Sequence, residues 1–150
     1  MIKKIFYLFT FFLFTNCGFA PLYNSNKIDY KINIIEASGD NTINNKIITE
    51  VKRISETSSK KKINIKIKTN YDKKIISKDQ KGSASDYQLT ASVNFEIIKN
   101  NNTEKLNYKE KMNIKKNLDT FDQINYENII KENFAISVVR KLNLELSSKR

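Results

Sequence analysis

The chain has 150 residues, 27 Lys and Arg against 16 Asp and Glu, and a formal net charge of +11. One Cys and the absence of His exclude His-based catalytic triads, His/Cys zinc sites and disulfides within the chain. The length suits one domain, and a hydrophobic content of 39% suits a packed core. The many Lys, Asn and Ile residues are also typical of an AT-rich genome, so the charge alone leaves a nucleic acid, an anionic membrane and codon bias open.

Residues 1–16 have the pattern of a signal peptide. Lys3 and Lys4 form a short basic start, and the apolar run IFYLFTFFLFT follows at residues 5–15. A run of this length suits the core of a signal peptide and is shorter than the roughly 20 residues that span a membrane as a helix. We therefore expect residues 1–16 to be removed on export.

The only cysteine, Cys17, stands at the end of this apolar region. That position is typical of a bacterial lipoprotein, whose thiol receives diacylglycerol and whose new N-terminus is then acylated. The preceding Phe14, Thr15 and Asn16 depart from the usual pattern of Leu, a small residue, then Gly, Ala or Ser. We predict that Cys17 carries covalent diacylglycerol and an N-acyl chain, which anchor the chain to a membrane, and we expect no cofactor. The alternative is an ordinary secretory signal with an incidental thiol.

The sequence CGFAPLY at residues 17–23 resembles the start of LptE, the lipopolysaccharide-assembly lipoprotein, in its alphaproteobacterial members. The resemblance implies a lipoprotein that partners and plugs an LptD-type outer-membrane β-barrel, supporting barrel assembly and the insertion of lipopolysaccharide into the outer leaflet. It also implies a lipid-anchored position on the periplasmic side of the outer membrane. Gly18 agrees with this location, because an Asp after the cysteine favours retention in the inner membrane of Gram-negative bacteria.

Residues 17–28 are interpreted as a lipidated N-terminal tether. Four of them are assigned to docking on the domain or on a partner: Phe19, Pro21, Leu22 and Tyr23. A tether in solvent does not need apolar side chains, so these residues indicate a contact with the domain or with a partner. The simpler alternative is a linker that proline keeps extended.

Hydrophobic periodicity predicts the first half of the domain. Tyr30, Ile32 and Ile34 alternate with polar residues and predict a strand. After a turn at residues 38–41, an amphipathic helix is indicated by residues at helical spacing: Ile43, Ile47, Ile48, Val51 and Ile54. Alternation at Ile63, Ile65 and Ile67 predicts the second strand, and the polar residues 71–85 are predicted to form a loop.

The second half predicts two more strands and a long helix. The third strand is indicated by alternating residues: Tyr87, Leu89, Ala91, Val93, Phe95 and Ile97. Asn residues at 100–102 predict a hairpin turn. The fourth strand has Leu106, Tyr108, Met112 and Ile114 on one face. A helix over residues 125–149 has Tyr126, Ile130, Phe134, Val138, Leu142 and Leu146 near helical spacing. Glu127–Lys131 and Glu145–Lys149 are predicted as ion pairs on it.

The order strand, helix, three strands, helix predicts one α+β domain over residues 29–150. Its expected architecture is a two-layer sandwich, in which a four-stranded, mostly antiparallel sheet carries both helices on one face. The same architecture is implied by the LptE resemblance.

The residue types favour a binding protein over an enzyme. The carboxylates are scattered, phosphate-loop and nucleophile motifs are missing from the sequence, and Glu110 is expected near a sheet edge instead of in a catalytic pocket. Five lysines on one predicted sheet face are candidate contacts to lipopolysaccharide or to a barrel: Lys66, Lys68, Lys109, Lys111 and Lys115. A solvated face shaped by codon bias is an equally open interpretation.

Nucleic acid is not expected as a partner. An exported lipoprotein rarely meets it, and the aromatic residues Tyr87, Phe95 and Tyr108 are predicted on the core face, where they cannot stack on bases. The alternative function is a periplasm-facing lipoprotein adaptor of another envelope assembly or secretion complex.

Overall fold

The computed structural model describes residues 28–100 and 102–148. The elements in chain order are β1 (Lys31–Ser38), α1 (Asn41–Ile54), β2 (Lys62–Lys78), β3 (Ala84–Lys99), β4 (Asn102–Lys115) and α2 (Thr120–Ser148). The predicted α+β class and element order are confirmed. The signal peptide, Cys17 and the docking residues at 19–23 lie outside the described residues.

The sheet has the strand order β1-β2-β3-β4. β2, β3 and β4 form an antiparallel meander, whereas β1 pairs in parallel with β2. A parallel neighbour requires a crossover connection, and α1 provides it. The sheet is therefore mixed but mostly antiparallel, as predicted.

Helix α1 begins where the sequence places a capping residue. Asp40 Oδ1 accepts a hydrogen bond from the Ile43 amide at 3.0 Å, which satisfies one of the free N–H groups of the first turn. Ile43, Ile47 and Val51 are fully or almost fully buried. Because these residues recur every four positions, they form one apolar stripe that packs on the sheet.

The core lies between the two helices and one face of the sheet. Strand residues of one parity point into it, namely Ile63, Ile65 and Ile67 of β2 and Val93, Phe95 and Ile97 of β3. Helix α2 contributes Phe134, Ala135, Val138, Val139, Leu142 and Leu146. Alternation in the strands and helical spacing in α2 thus bury their apolar residues in one common layer.

The prediction of a loop at residues 71–85 is wrong. β2 continues to Lys78 and β3 begins at Ala84, so that only residues 79–83 form the turn of a long hairpin. Ile75 pairs with Tyr87 within this hairpin. From residue 72 to the end of β2 the side chains are exposed on both faces. A strand without a buried face shows no alternation of apolar and polar residues, and its sequence therefore resembles a loop.

Two predictions for α2 also need correction. The helix begins at Thr120, earlier than the predicted residue 125, and Tyr126 is 47% exposed instead of buried. Glu127 does not pair with Lys131 but binds Lys73, while Lys131 binds Asp40. Lys149 lies outside the described residues.

The connection between β3 and β4 matches the expected turn. Asn100 has a φ of 47°, which Asn tolerates better than most residues because its short polar side chain suits the left-handed region. β4 forms an outer edge of the sheet, and Glu110 lies on this strand, as predicted.

Candidate functional site

The face of the sheet that points away from both helices is polar and rich in lysine. We call it the open face. It carries residues of the parity opposite to the core residues, including Lys66, Lys68, Asn94, Glu96, Lys105, Asn107, Lys109, Lys111 and Lys115. No helix among residues 28–100 and 102–148 covers this face.

All five lysines predicted from the sequence lie on the open face, but they do not form one compact site. Lys66 of β2 aligns with Glu96 of β3 and, across that strand, with Lys105 of β4. Lys109 aligns with Ser92, further along the hairpin. Because neighbouring strands are about 4.8 Å apart and residues rise by about 3.3 Å, the five lysines form an oblique band that extends further along the strands than across them.

A shallow depression of about 420 Å³ lies where β1, β2, β3 and β4 meet on this face. Its polar lining consists of Glu36, Ser38, Lys66, Lys68, Asn94, Glu96, Lys105 and Asn107. Lys66 Nζ is 3.9 Å from Glu36 Oε2, so a carboxylate partly balances the charge at one side. Lys105 was missed by the sequence analysis, although its alternation with Leu106 is the same signal that identified Lys109.

This arrangement of groups suits binding better than chemistry. Ammonium groups bind phosphate and carboxylate groups as point charges, and side-chain amides donate and accept hydrogen bonds. The depression thus offers donors for an acidic polar surface, while Glu36 and Glu96 restrict how closely a uniformly anionic surface fits there.

The chain enters the domain at one end of the sheet. The amide of Ile28, which is 1% exposed, donates to the Ile54 carbonyl at 2.9 Å. At about 3.3 Å per residue, the 17 residues of β2 extend about 55 Å from this end. The turn at residues 79–83 therefore lies far from the point where the predicted tether joins the domain.

A polar cluster at the junction of α1, β2 and α2 was not predicted. Lys131 Nζ contacts Asp40 Oδ2 at 2.7 Å and lies 4.1 Å from the centre of the Tyr71 ring. The Tyr71 hydroxyl donates to Glu127 Oε2 at 3.1 Å, and Lys73 donates to the other oxygen of that carboxylate. The cluster thereby joins all three elements through hydrogen bonds to charged groups.

The cluster shifts the acidity of its members. Burial alone would raise the pKa of Asp40, but the hydrogen bonds from Lys131 and from the Ile43 amide outweigh it, so the pKa is lowered. Glu127 behaves in the same way, because hydrogen bonds from Lys73 and Gln123 lower its pKa despite burial. Burial and the nearby Glu127 carboxylate raise the pKa of Tyr71. All three shifts favour the protonation states that form the hydrogen bonds, with Asp40 and Glu127 ionised and Tyr71 protonated.

Comparisons with known proteins agree on the fold. Rare lipoprotein B from Shewanella oneidensis matches with a TM-score of 0.59 and 7% sequence identity, over 79% of this chain and 95% of that one. A minor lipoprotein from Acinetobacter baumannii matches with a TM-score of 0.54 and 11% identity, over 77% of this chain and 94% of the other. The chain therefore has the fold of these bacterial lipoproteins.

The sequence comparisons add no assignment. No family model matches the chain, and no curated protein matches it at a significant level.

Proposed function

We propose that this chain is an LptE-type lipoprotein of the outer membrane. In this proposal, acyl chains on Cys17 anchor it on the periplasmic side. The domain partners and plugs an LptD-type β-barrel, and so supports barrel assembly and the insertion of lipopolysaccharide into the outer leaflet. Neither a catalytic step nor a nucleic-acid partner is part of this function.

One coincidence carries the proposal. The CGFAPLY start resembles LptE, and the domain that follows it shares its fold with solved bacterial lipoproteins. The first observation rests on seven residues and the second on the backbone, so they are independent. Together they support an exported, lipid-anchored domain whose surfaces serve binding.

The open face supplies the surface that such a domain needs. Barrel interiors are polar, and a lysine-rich sheet face can pair with acidic groups of a barrel wall or with lipid phosphates. The alternative is that the open face is only solvated. A contact surface and a solvated face differ in how lysine substitution changes the affinity for the partner. A contact surface loses affinity when its lysines are replaced, whereas a solvated face does not.

Co-purification of the full-length protein from solubilised membranes tests the partner. We expect an LptD-type barrel to elute with the wild-type chain. Replacement of Lys66, Lys68, Lys109, Lys111 and Lys115 together by Gln should reduce the recovered barrel. The control replaces five lysines outside the band by Gln: Lys46, Lys52, Lys60, Lys61 and Lys99. A wild-type preparation without the barrel would refute the plug assignment and favour the adaptor.

Metabolic labelling with palmitate tests the anchor separately. We expect the wild-type chain to incorporate label and Cys17→Ala to incorporate none. The same variant should move from the membrane fraction to the soluble periplasmic fraction. Label that persists in Cys17→Ala would show that the acyl chains are attached elsewhere and would refute the anchor at Cys17.

A further inference from the structure

The outer edge of β2 is covered along only part of its length. β1 pairs with β2 from Lys31–Lys62 to Ser38–Lys68, but β2 continues to Lys78. Gly39 turns the chain out of the sheet at this point with a φ of 104°. Beyond it, residues 70–78 pair with β3 on one side, and on the other side they face no strand of the part of the chain that the structure describes.

The backbone of this segment is oriented for a further strand. The Lys31 amide donates to the Lys61 carbonyl at 2.8 Å, so the carbonyl of residue 61 points towards β1. Directions alternate along a strand, and the residues of odd number in β2 therefore point their N–H and C=O groups outwards. Beyond the end of β1, these are Tyr71, Lys73 and Ile75.

Helix α2 flanks the same edge with uncovered apolar side chains. The face of α2 that points towards α1 carries Glu132, whose carboxylate is 3.6 Å from Lys46 of α1. Phe121 lies eleven residues, or about three turns, before Glu132 and so shares its face. Since Lys131 already contacts the start of α1 at Asp40, Phe121 extends past α1 and is 71% exposed.

Ile124 and Ile75 complete the apolar surface. Ile124 lies about three turns before Ala135, which is fully buried, yet it is 53% exposed. Glu127 binds Tyr71 and Lys73, so this part of α2 lies over residues 71–73 of β2. One turn earlier, Ile124 reaches the level of Ile75, which is itself 52% exposed.

We propose that residues 70–78 bind an extended segment of a partner polypeptide, which joins the sheet as a strand beside β2. Its backbone bonds to Tyr71, Lys73 and Ile75, and alternate apolar side chains pack against Ile75, Phe121 and Ile124. This is the strand-addition mode of peptide recognition, in which backbone hydrogen bonds give affinity and alternate side chains give specificity.

Charge selects the kind of segment. Residues 70–78 contain Lys73, Lys74 and Lys78 but only one carboxylate, Asp72. Lys73 is already bound to Glu127, so Lys74 and Lys78 are the cations that favour an acidic segment. Antiparallel self-pairing of a second copy centred on Lys74 places two lysines opposite each other, which is unfavourable. Pairing centred on Lys73 does the same for Lys73 but also brings Asp72 opposite Lys74, so the test below must separate a second copy from another protein. Pairing centred on Ile75 meets the irregularity between Ile75 and Ser77.

Photo-crosslinking of the full chain in its native envelope tests this edge. A benzophenone analogue of Phe replaces Phe121, and the matched control carries it at Leu144, which is 66% exposed on the same helix. We expect an adduct from position 121 only, mapped by mass spectrometry to an extended acidic segment of another protein. No adduct, a lipid adduct or an adduct to a second copy would overturn the proposal.

The backbone bonds are tested by Ile75→Pro against Ile75→Ala in the crosslinking chain. Both remove the side chain, but only proline removes the outward N–H, while the bonds to β3 remain. We expect proline to lower the adduct yield about tenfold relative to alanine, which corresponds to about 1.4 kcal/mol. Equal yields from two folded variants would overturn strand addition.

Amide exchange gives a readout that does not depend on the proline variant. In the crosslinked complex, the amides of Tyr71, Lys73 and Ile75 should exchange more slowly than in the free protein, and those of Asp72 and Lys74 should not change. Uniform slowing would contradict strand addition. The proposal needs a protein partner but not a barrel. The adduct at position 121 therefore tests this edge, whereas recovery of the barrel by co-purification tests the proposed function.

Discussion

Lys131 of α2 binds the residue that caps α1. Its Nζ lies 2.7 Å from Asp40 Oδ2, while the other carboxylate oxygen of Asp40 accepts from the Ile43 amide. Both side chains of the ion pair are only 15% exposed. One carboxylate therefore terminates α1 and fixes its position against α2, so that local capping and tertiary packing depend on the same residue.

Replacement of Asp40 separates these two roles. We expect Asp40→Ala to lower the free energy of unfolding by about 2 kcal/mol, because it removes the cap and leaves Lys131 without its partner. Asp40→Asn keeps a capping oxygen but removes the charge, and its cost should be about 1 kcal/mol smaller. Urea denaturation followed by circular dichroism measures both. Equal losses in the two variants would mean that the cap contributes nothing.

The same cluster predicts how stability depends on pH. The pKa values of Asp40 and Glu127 are lowered from ordinary values of 3.8 and 4.5. The folded state therefore binds fewer protons than the unfolded state near these values. The stabilisation is present above about pH 4.5 and is lost as the pH falls through the lowered pKa values.

Urea denaturation between pH 2.5 and 6 measures this dependence. We expect the free energy of unfolding to fall on acidification and the slope to be smaller in Glu127→Gln, which no longer titrates at this position. Asp40→Asn should reduce the slope as well. A slope that is unchanged in both variants would contradict the assignment of the lowered pKa values to these carboxylates.

Two glycines with positive φ should respond differently to alanine. Gly39 has a φ of 104°, and an added Cβ would lie 1.8 Å from the Thr69 carbonyl oxygen. Gly82 has a φ of 81° but no atom within 4 Å of that position. We expect Gly39→Ala to cost about 3 kcal/mol or more, because the backbone must move, and Gly82→Ala about 1 kcal/mol. Similar costs, measured by denaturation, would show that φ alone decides.

Sequence periodicity predicted the elements that bury one face. Ile63, Ile65 and Ile67 alternate strictly and form the central part of β2, as expected. The continuation of β2 could not be predicted in this way, because exposure on both faces removes the pattern. Its strand structure comes from pairing with β3, a contact between distant residues that a local pattern does not contain.

For the candidate site, too, the features with a local sequence pattern were predicted, and those that depend on contacts between distant residues were not. The lysines of the open face were found because they alternate with apolar residues in the sequence, and Lys66 and Lys109 lie where alternation predicts. The sequence did not predict which charged residues pair with each other. Glu127 and Lys131 have the spacing of a helix pair, but Lys73 and Asp40 lie closer to them in the folded chain.

The hairpin that replaces the predicted loop can be tested by amide exchange in the free, purified protein. Alternate residues of β2 point towards β3, so the amides of Asp72 and Lys74 should exchange slowly. Those of Tyr71 and Lys73 point outwards beyond the end of β1 and should exchange faster. Ile65 is an internal control, since its outward amide faces β1, and it should be slow. Uniformly fast exchange from residue 71 to residue 78 would instead support a loop, and uniformly slow exchange would mean that the outer edge of β2 is already covered.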